Sequence, residues 1–176
     1  ITEINSCERL NIPYLVTHLG SHLGYGVKVG LERIVKAIDI AFSVAGERVM
    51  LLLENTAGTK NSIGGSFNDL QYIIEQTSYP DRIGICFDTC HAFAAGYDLR
   101  TEEAVEETIR KIDEKIGFSK LKLVHLNDSR GDLNSHIDRH EHIGLGKIGE
   151  NGFRNILRSA FASLPLILET PKDYRR

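Results

Sequence analysis

Five apolar runs in this chain each give way to a residue that binds metals well. His18 follows Tyr14-Leu15-Val16-Thr17, Glu54 follows Met50-Leu51-Leu52-Leu53, and Asp88 with His91 closes the stretch from Ile83 to His91. His125 follows Leu121-Lys122-Leu123-Val124, and Glu169 follows Pro165-Leu166-Ile167-Leu168. A sixth cluster, Asp138 and His140, lies in the polar segment IDRHEHIG. Imidazoles and carboxylates in nearly even mixture suit zinc, with manganese or iron as substitutes, better than magnesium or calcium. A multinuclear site of this kind can ionise water and neutralise phosphoryl charge.

Electrostatics supports a metal. Glu54, Asp88, Asp138 and Glu169 would share one cleft, and two like charges ~5 Å apart repel by ~3 kcal/mol at an effective dielectric near 20. Without cations such a cluster must take up protons or come apart. Any one of these residues alone reads as a core histidine or a helix-capping acid. Their recurrence on five consecutive runs makes that reading improbable. Asp88 and His91 are expected at a strand-to-loop exit, and Cys90 between them as a packed thiol rather than a ligand. His18 and His22 have helical zinc spacing, but Gly20 and Gly24 disfavour a helix there, so His22 is expected to support the site. Arg139, beside two ligands, suits a phosphate, and Asn127 is assigned to the substrate with it. His136 and His142 are expected as surface or supporting residues.

Ligands at strand ends require parallel strands that all finish on one face. The expected strands are Pro13–Thr17, Val49–Leu53, Ile83–Phe87, Leu121–Leu126 and Leu166–Leu168. Helical faces lie between them. Leu31, Ile34, Val35, Ile38 and Phe42 follow a glycine-rich loop from Gly20 to Gly30 and stop at Gly46. Phe67, Leu70, Ile73 and Ile74 follow an N-cap at Ser66, and Val105, Ile109, Ile112 and Ile116 run from Thr101 to Gly117. Phe153, Ile156 and Leu157 mark a last short helix after a long polar loop from Asn127 to Asn151. Ligand-bearing ends recur at 36 (18 to 54), 34 (54 to 88), 37 (88 to 125) and 44 (125 to 169) residues. That interval is a repeating βα unit, and eight such units need roughly 280 residues, which suits a TIM (β/α)8 barrel. The expected fold is therefore one partial TIM-barrel domain over residues 1–176, truncated to about five βα units with about three missing in front. The stripe Ile1, Ile4, Cys7 and Leu10, already helical at the first residue, fits a chain cut from something longer. A five-stranded doubly wound sheet is the alternative, though it would not gather ligands from every strand.

Bulk properties narrow the function classes. The chain has 176 residues, 41% of them hydrophobic, and a net charge of −3, which excludes a simple basic nucleic-acid binder. It does not exclude an enzyme whose positive charge is carried by bound cations. Cys7, Cys86 and Cys90 form no CxxC pair, which disfavours a disulfide framework and fits a reducing, cytoplasmic compartment. Asn127-Asp128-Ser129 matches a glycosylation sequon by chance. No signal peptide or membrane-length apolar run is seen.

Several stretches carry a family resemblance. LLLENTAG, FDTCHAFAAGYD, and HLNDS followed by DRHEHIGLGKIG resemble the signature motifs of the endonuclease IV family of apurinic/apyrimidinic endonucleases. GSHLG and LETP are similar to it as well. The resemblance implies a TIM barrel, three zinc ions per intact enzyme, and incision of abasic double-stranded DNA during base excision repair by a monomer. Carried over by position, it implies one zinc on His18 and Glu54 and a second on Glu54, Asp88, His125 and Glu169. It implies a third on His91, Asp138 and His140. Glu169 and Glu54 become the catalytic carboxylates. The family's ninth ligand, a histidine from an earlier strand, has no counterpart here. The implied reaction is hydrolysis of the phosphodiester 5′ to the abasic site, leaving a 3′-hydroxyl and a 5′-deoxyribose phosphate. Loops at 57–65, 92–98 and 130–139 are expected to rim the DNA groove. The rival readings are a metal-dependent sugar isomerase or epimerase on a similar barrel, and a non-catalytic damage binder or inactive fragment. The third ligand group favours the nuclease over the isomerase.

Overall fold

In the computed structural model, residues 1–172 are described. The chain opens with α1 (Thr2–Leu10), β1 (Tyr14–Thr17), α2 (Val27–Val44), β2 (Met50–Glu54) and α3 (Phe67–Gln76). It continues with β3 (Ile83–Asp88), α4 (Thr89–Ala94), α5 (Glu102–Lys115) and β4 (Leu121–His125). The last elements are β5 (Asp128–Ser129), β6 (His140–Glu141), α6 (Gly149–Ile156) and β7 (Leu166–Ile167). One parallel sheet runs β1-β2-β3-β4-β7, and β5 pairs antiparallel with β6. The all-parallel order makes a half-barrel of the TIM type, with helices on its outer face. No described helix is long and apolar enough to cross a membrane.

Strand parity sorts the side chains. Leu51, Leu53, Ile83, Ile85, Phe87, Leu121 and Val124 point outward into the main core with Ile38, Phe42, Leu70, Ile73, Val105 and Ile112 of the helices. Leu52, Cys86 and Leu123, with Val16 and Met50 against them, form a separate inner cluster. His18, Glu54, Asp88 and His125 each stand two residues beyond a member of that inner group, so strand alternation turns them to the inside. An irregularity in the β3–β4 ladder matters here. Ile85 pairs with Leu121 but Cys86 pairs with Leu123, and the skipped residue brings His125 level with Asp88.

Caps follow the sequence closely. Ser66 accepts from Asn68 N at the start of α3, and Thr101 accepts from Ala104 N at the start of α5. Three local readings are corrected. Helix α2 starts at Val27, so Gly30 lies inside it rather than in the glycine-rich loop; a Cβ there would collide with Ile63 and His22. Close approach of the helix to the following loop explains that glycine. Asp88 and His91 sit on a helix start rather than a loop exit, because Asp88 caps α4 by accepting from His91 N at 2.7 Å. The 127–151 stretch is partly regular, containing β5, β6 and the first turn of α6.

Candidate metal centre

Four expected ligands come together at the strand ends. Glu54, Asp88, His125 and Glu169 each place a donor atom within 4.8 Å of the others. His125 Nδ1 lies 3.1 Å from Glu54 Oε1 and 3.1 Å from Glu169 Oε2. The other Glu54 oxygen meets His18 Nε2 at 3.0 Å. A further group joins His91, Asp138 and His140, with His91 Nε2 3.2 Å from Asp138 Oδ1. In a tetrahedral zinc site with bonds of about 2.0–2.2 Å, neighbouring donors stand roughly 3.3 Å apart. The observed separations have that scale.

Ring orientation tests whether these residues fit a metal. His91 Nδ1 donates to the Asn55 carbonyl at 3.0 Å, and His140 Nδ1 donates to the Glu169 carbonyl at 3.0 Å. Anchoring one ring nitrogen on a backbone oxygen leaves the other free to ligate, as metal-binding histidines require. His140 Nε2 is buried and has no hydrogen-bond partner among the described residues. A buried nitrogen without a partner is costly unless something else binds it. The residues present therefore fit zinc.

The same anchoring resolves an ambiguity. His91 also lies within reach of His18 and Glu54, but its Nδ1 is spent on the Asn55 carbonyl. Its available Nε2 faces Asp138, so it belongs with Asp138 and His140. Cys90 lies near Asp88 and His140. Burial first, then the Asp88 charge, pushes its thiol up to about 12, and Sγ reaches the Arg139 carbonyl at 3.6 Å. It packs there as a neutral thiol.

Electrostatic shifts follow from the crowding. Burial disfavours the Glu54 carboxylate, yet the hydrogen bond from His125 and the His91 ring 3.4 Å away outweigh it and hold its pKa at about 2. Burial raises Asp88, against the opposing pull of His91 and His140. Burial lowers His91, but the hydrogen bond to Asp138 and the Glu54 carboxylate 3.4 Å away carry it up to about 11, and His125 is raised by Glu54 against the effect of its burial. Each facing carboxylate favours the protonated form of the imidazole beside it.

Supporting residues were harder to read from sequence. Asn55 clasps β3 by donating to Asp88 O at 3.0 Å and accepting from Asp88 N at 2.8 Å. Asn127 is fully buried, with its amide 2.7 Å from Asp88 Oδ2 and its oxygen accepting from Glu169 N. That position orients the carboxylates of Asp88 and Glu169. Its burial also removes it as a glycosylation site. Thr89 accepts from Asn127 N at 2.8 Å and donates to Asn127 O at 2.7 Å. The signal available was an amide one or two residues beyond a candidate ligand, in ENTAG and again in HLNDS. His22 folds its own loop, its Nδ1 accepting from Gly24 N and Gly26 N, both at 3.2 Å. His136 ties two rim loops through a 2.9 Å bond to Ala57 O. Arg139 is exposed beside the third group.

A parallel half-barrel with imidazoles and carboxylates clustered on its C-terminal rim defines the class. The chain belongs to the xylose isomerase-like TIM barrel family, whose model it matches over residues 1–176. It is 60% identical over 176 residues to a protein of Methanoculleus marisnigri named probable endonuclease 4, a match covering 99% of this chain and 62% of that protein. It superposes on endonuclease IV from Thermus thermophilus with a TM-score of 0.82 and 35% identity, covering 97% of this chain and 59% of that one. A D-tagatose 3-epimerase-like protein shares the fold at 22% identity and a TM-score of 0.68, covering 98% of this chain and 61% of that one. The chain thus spans about three fifths of the relatives it matches.

Proposed function

We propose that the protein to which this chain belongs is a zinc-dependent apurinic/apyrimidinic endonuclease acting inside the cell in base excision repair. Its substrate is abasic double-stranded DNA, cut at the phosphodiester 5′ to the lesion to leave a 3′-hydroxyl and a 5′-deoxyribose phosphate. The observation that carries this reading is the donor set: the four-residue group sharing Glu54, joined by a separate His91, Asp138 and His140 group whose histidines are anchored on backbone carbonyls. The names of the relatives supply the nucleic-acid chemistry.

Zinc, when bound, supplies an ionised water near neutral pH and positive charge for the phosphate. Glu54 and Asp88 hold buried negative charge for it, Glu54 shared between two groups. Glu169 is the most open carboxylate of its group, with a side chain 45% exposed. Its backbone N–H is fixed by Asn127, so it would hold metal and orient the attacking water from the cleft side. Arg139, exposed beside Asp138 and His140, meets a phosphate oxygen. The loops at 57–65 and 130–139, joined by His136, rim the groove, and α4 with the turn after it stands in place of the expected 92–98 loop.

The test uses the whole protein and a duplex carrying one tetrahydrofuran abasic analogue. Zinc-dependent incision 5′ to the analogue is expected. Glu169→Gln should abolish incision and leave duplex binding intact. Absence of incision with or without zinc, or turnover of a ketose with two metals per chain, would overturn the proposal.

A further inference from the structure

Asp128 is fully buried between two ligand-bearing segments, and neither metal group uses it. Among the described residues its carboxylate accepts five main-chain N–H groups. Oδ1 takes Ser129 at 2.8 Å, Ile148 at 3.0 Å and Gly149 at 3.4 Å; Oδ2 takes Gly144 and Gly146, both at 2.9 Å. Ile148 is the N-cap of α6 and has no side-chain cap bond, so Asp128 caps that helix from twenty residues upstream (128 to 148). The next residue reinforces the clamp: Ser129 O accepts from Lys147 N at 2.7 Å, and Ser129 pairs with His140 across β5–β6.

We infer that Asp128 is a positioning residue for the metal group of His91, Asp138 and His140, acting through the 140–149 segment. One carboxylate gathers the start of α6, the 144–146 link and the strand partner of His140. The position of the His140 ring is therefore set from both ends of its segment. A carboxylate suits this place because both its oxygens only accept. An amide would turn an NH2 group towards N–H donors, leaving buried groups unsatisfied. Gly146 reports on the same contact from the other side. A Cβ there would stand 2.5 Å from Asp128 Oδ1 and 2.5 Å from Ser129 O. The absence of a side chain at 146 is a requirement of the clamp.

This inference rests on the metal-centre reading above, and the experiment separates the two. Zinc per chain is measured in the full-length protein after dialysis, with affinities from competition against a chromophoric chelator. Asp128→Asn and Gly146→Ala should each weaken one class of zinc by ~10–100-fold, the size seen when residues supporting ligands are removed. Binding at the Glu54, Asp88, His125 and Glu169 group should persist. Wild-type stoichiometry and affinity in both variants would overturn the role of Asp128 and leave the metal centre standing. Equal weakening of every zinc, or loss of the fold in both, would make Asp128 a general stability residue and also overturn it. A wild-type chain that binds no zinc would remove the metal-centre reading, and this inference with it.

Discussion

At the residue scale, protons and metal compete for the same lone pairs. Burial opposes a charge on His91, but Asp138 and Glu54 outweigh it and hold its pKa at about 11. The metal-free ring is therefore an imidazolium throughout the neutral range, and its Nε2 proton must leave when a metal arrives. Because the shift is upward, competition is strongest at low pH and relaxes as pH rises towards that pKa. Zinc titrations in buffers of different ionisation enthalpy should show net proton release, with apparent affinity rising from pH 6 to pH 8. Heats independent of the buffer would refute this account. The ligand types were plain in the sequence, but their partition was not legible from the residues alone. His91 reaches two groups by distance, and only the Asn55 carbonyl on its Nδ1 decides which one it serves.

At the scale of elements, long-range caps fix junctions that local sequence does not announce. Asp39 on α2 accepts from Thr77 Oγ1 at 2.6 Å and from Ser78 N at 3.0 Å, holding the chain where it leaves α3. Burial raises its pKa, yet the hydrogen bonds from Thr77 and Ser78 prevail and depress it. A depressed carboxylate stabilises the fold above its unfolded pKa of about 3.9, and that contribution is lost as pH falls through the lower folded value. Asp39→Asn should cost about 1 kcal/mol at pH 7 in urea unfolding and should flatten the acid limb below pH 4. An unchanged pH profile would discount the bond. Sequence periodicity located α3 and α5 with their caps at Ser66 and Thr101, because those caps are local. It placed the start of α2 four residues late (31 against 27), since the reason for Gly30 is contact with Ile63 and His22.

For the molecule as a whole, the sheet is open. Among the described residues β1 and β7 each have one neighbour, and Tyr14 at one edge and Ile167 and Leu168 at the other are exposed. Edge strands with unpaired amides and apolar side chains pair readily with other chains. The 176-residue chain on its own should associate with rising concentration in sedimentation velocity. A single monomeric species across the range would show that the helices and loops shield these edges. Much of the apolar interior is nonetheless complete on the helix side, where Phe87 and Phe161 stack 4.8 Å apart and both are fully buried.

Apolar runs and local caps were enough to set the parallel βα repeat, because both signals lie within a few residues of the element they define. The residue types of the candidate site were equally plain in the chain, since His18, Glu54, Asp88, His125 and Glu169 each end an apolar run. Which donor atoms meet was decided by folding, because ring orientation depends on carbonyls and amides from other strands. The β3–β4 irregularity that sets His125 beside Asp88 also belongs to the folded sheet. So does the part played by Asp128, whose five donors lie up to 21 residues away (128 to 149) and form a clamp only after the chain folds back.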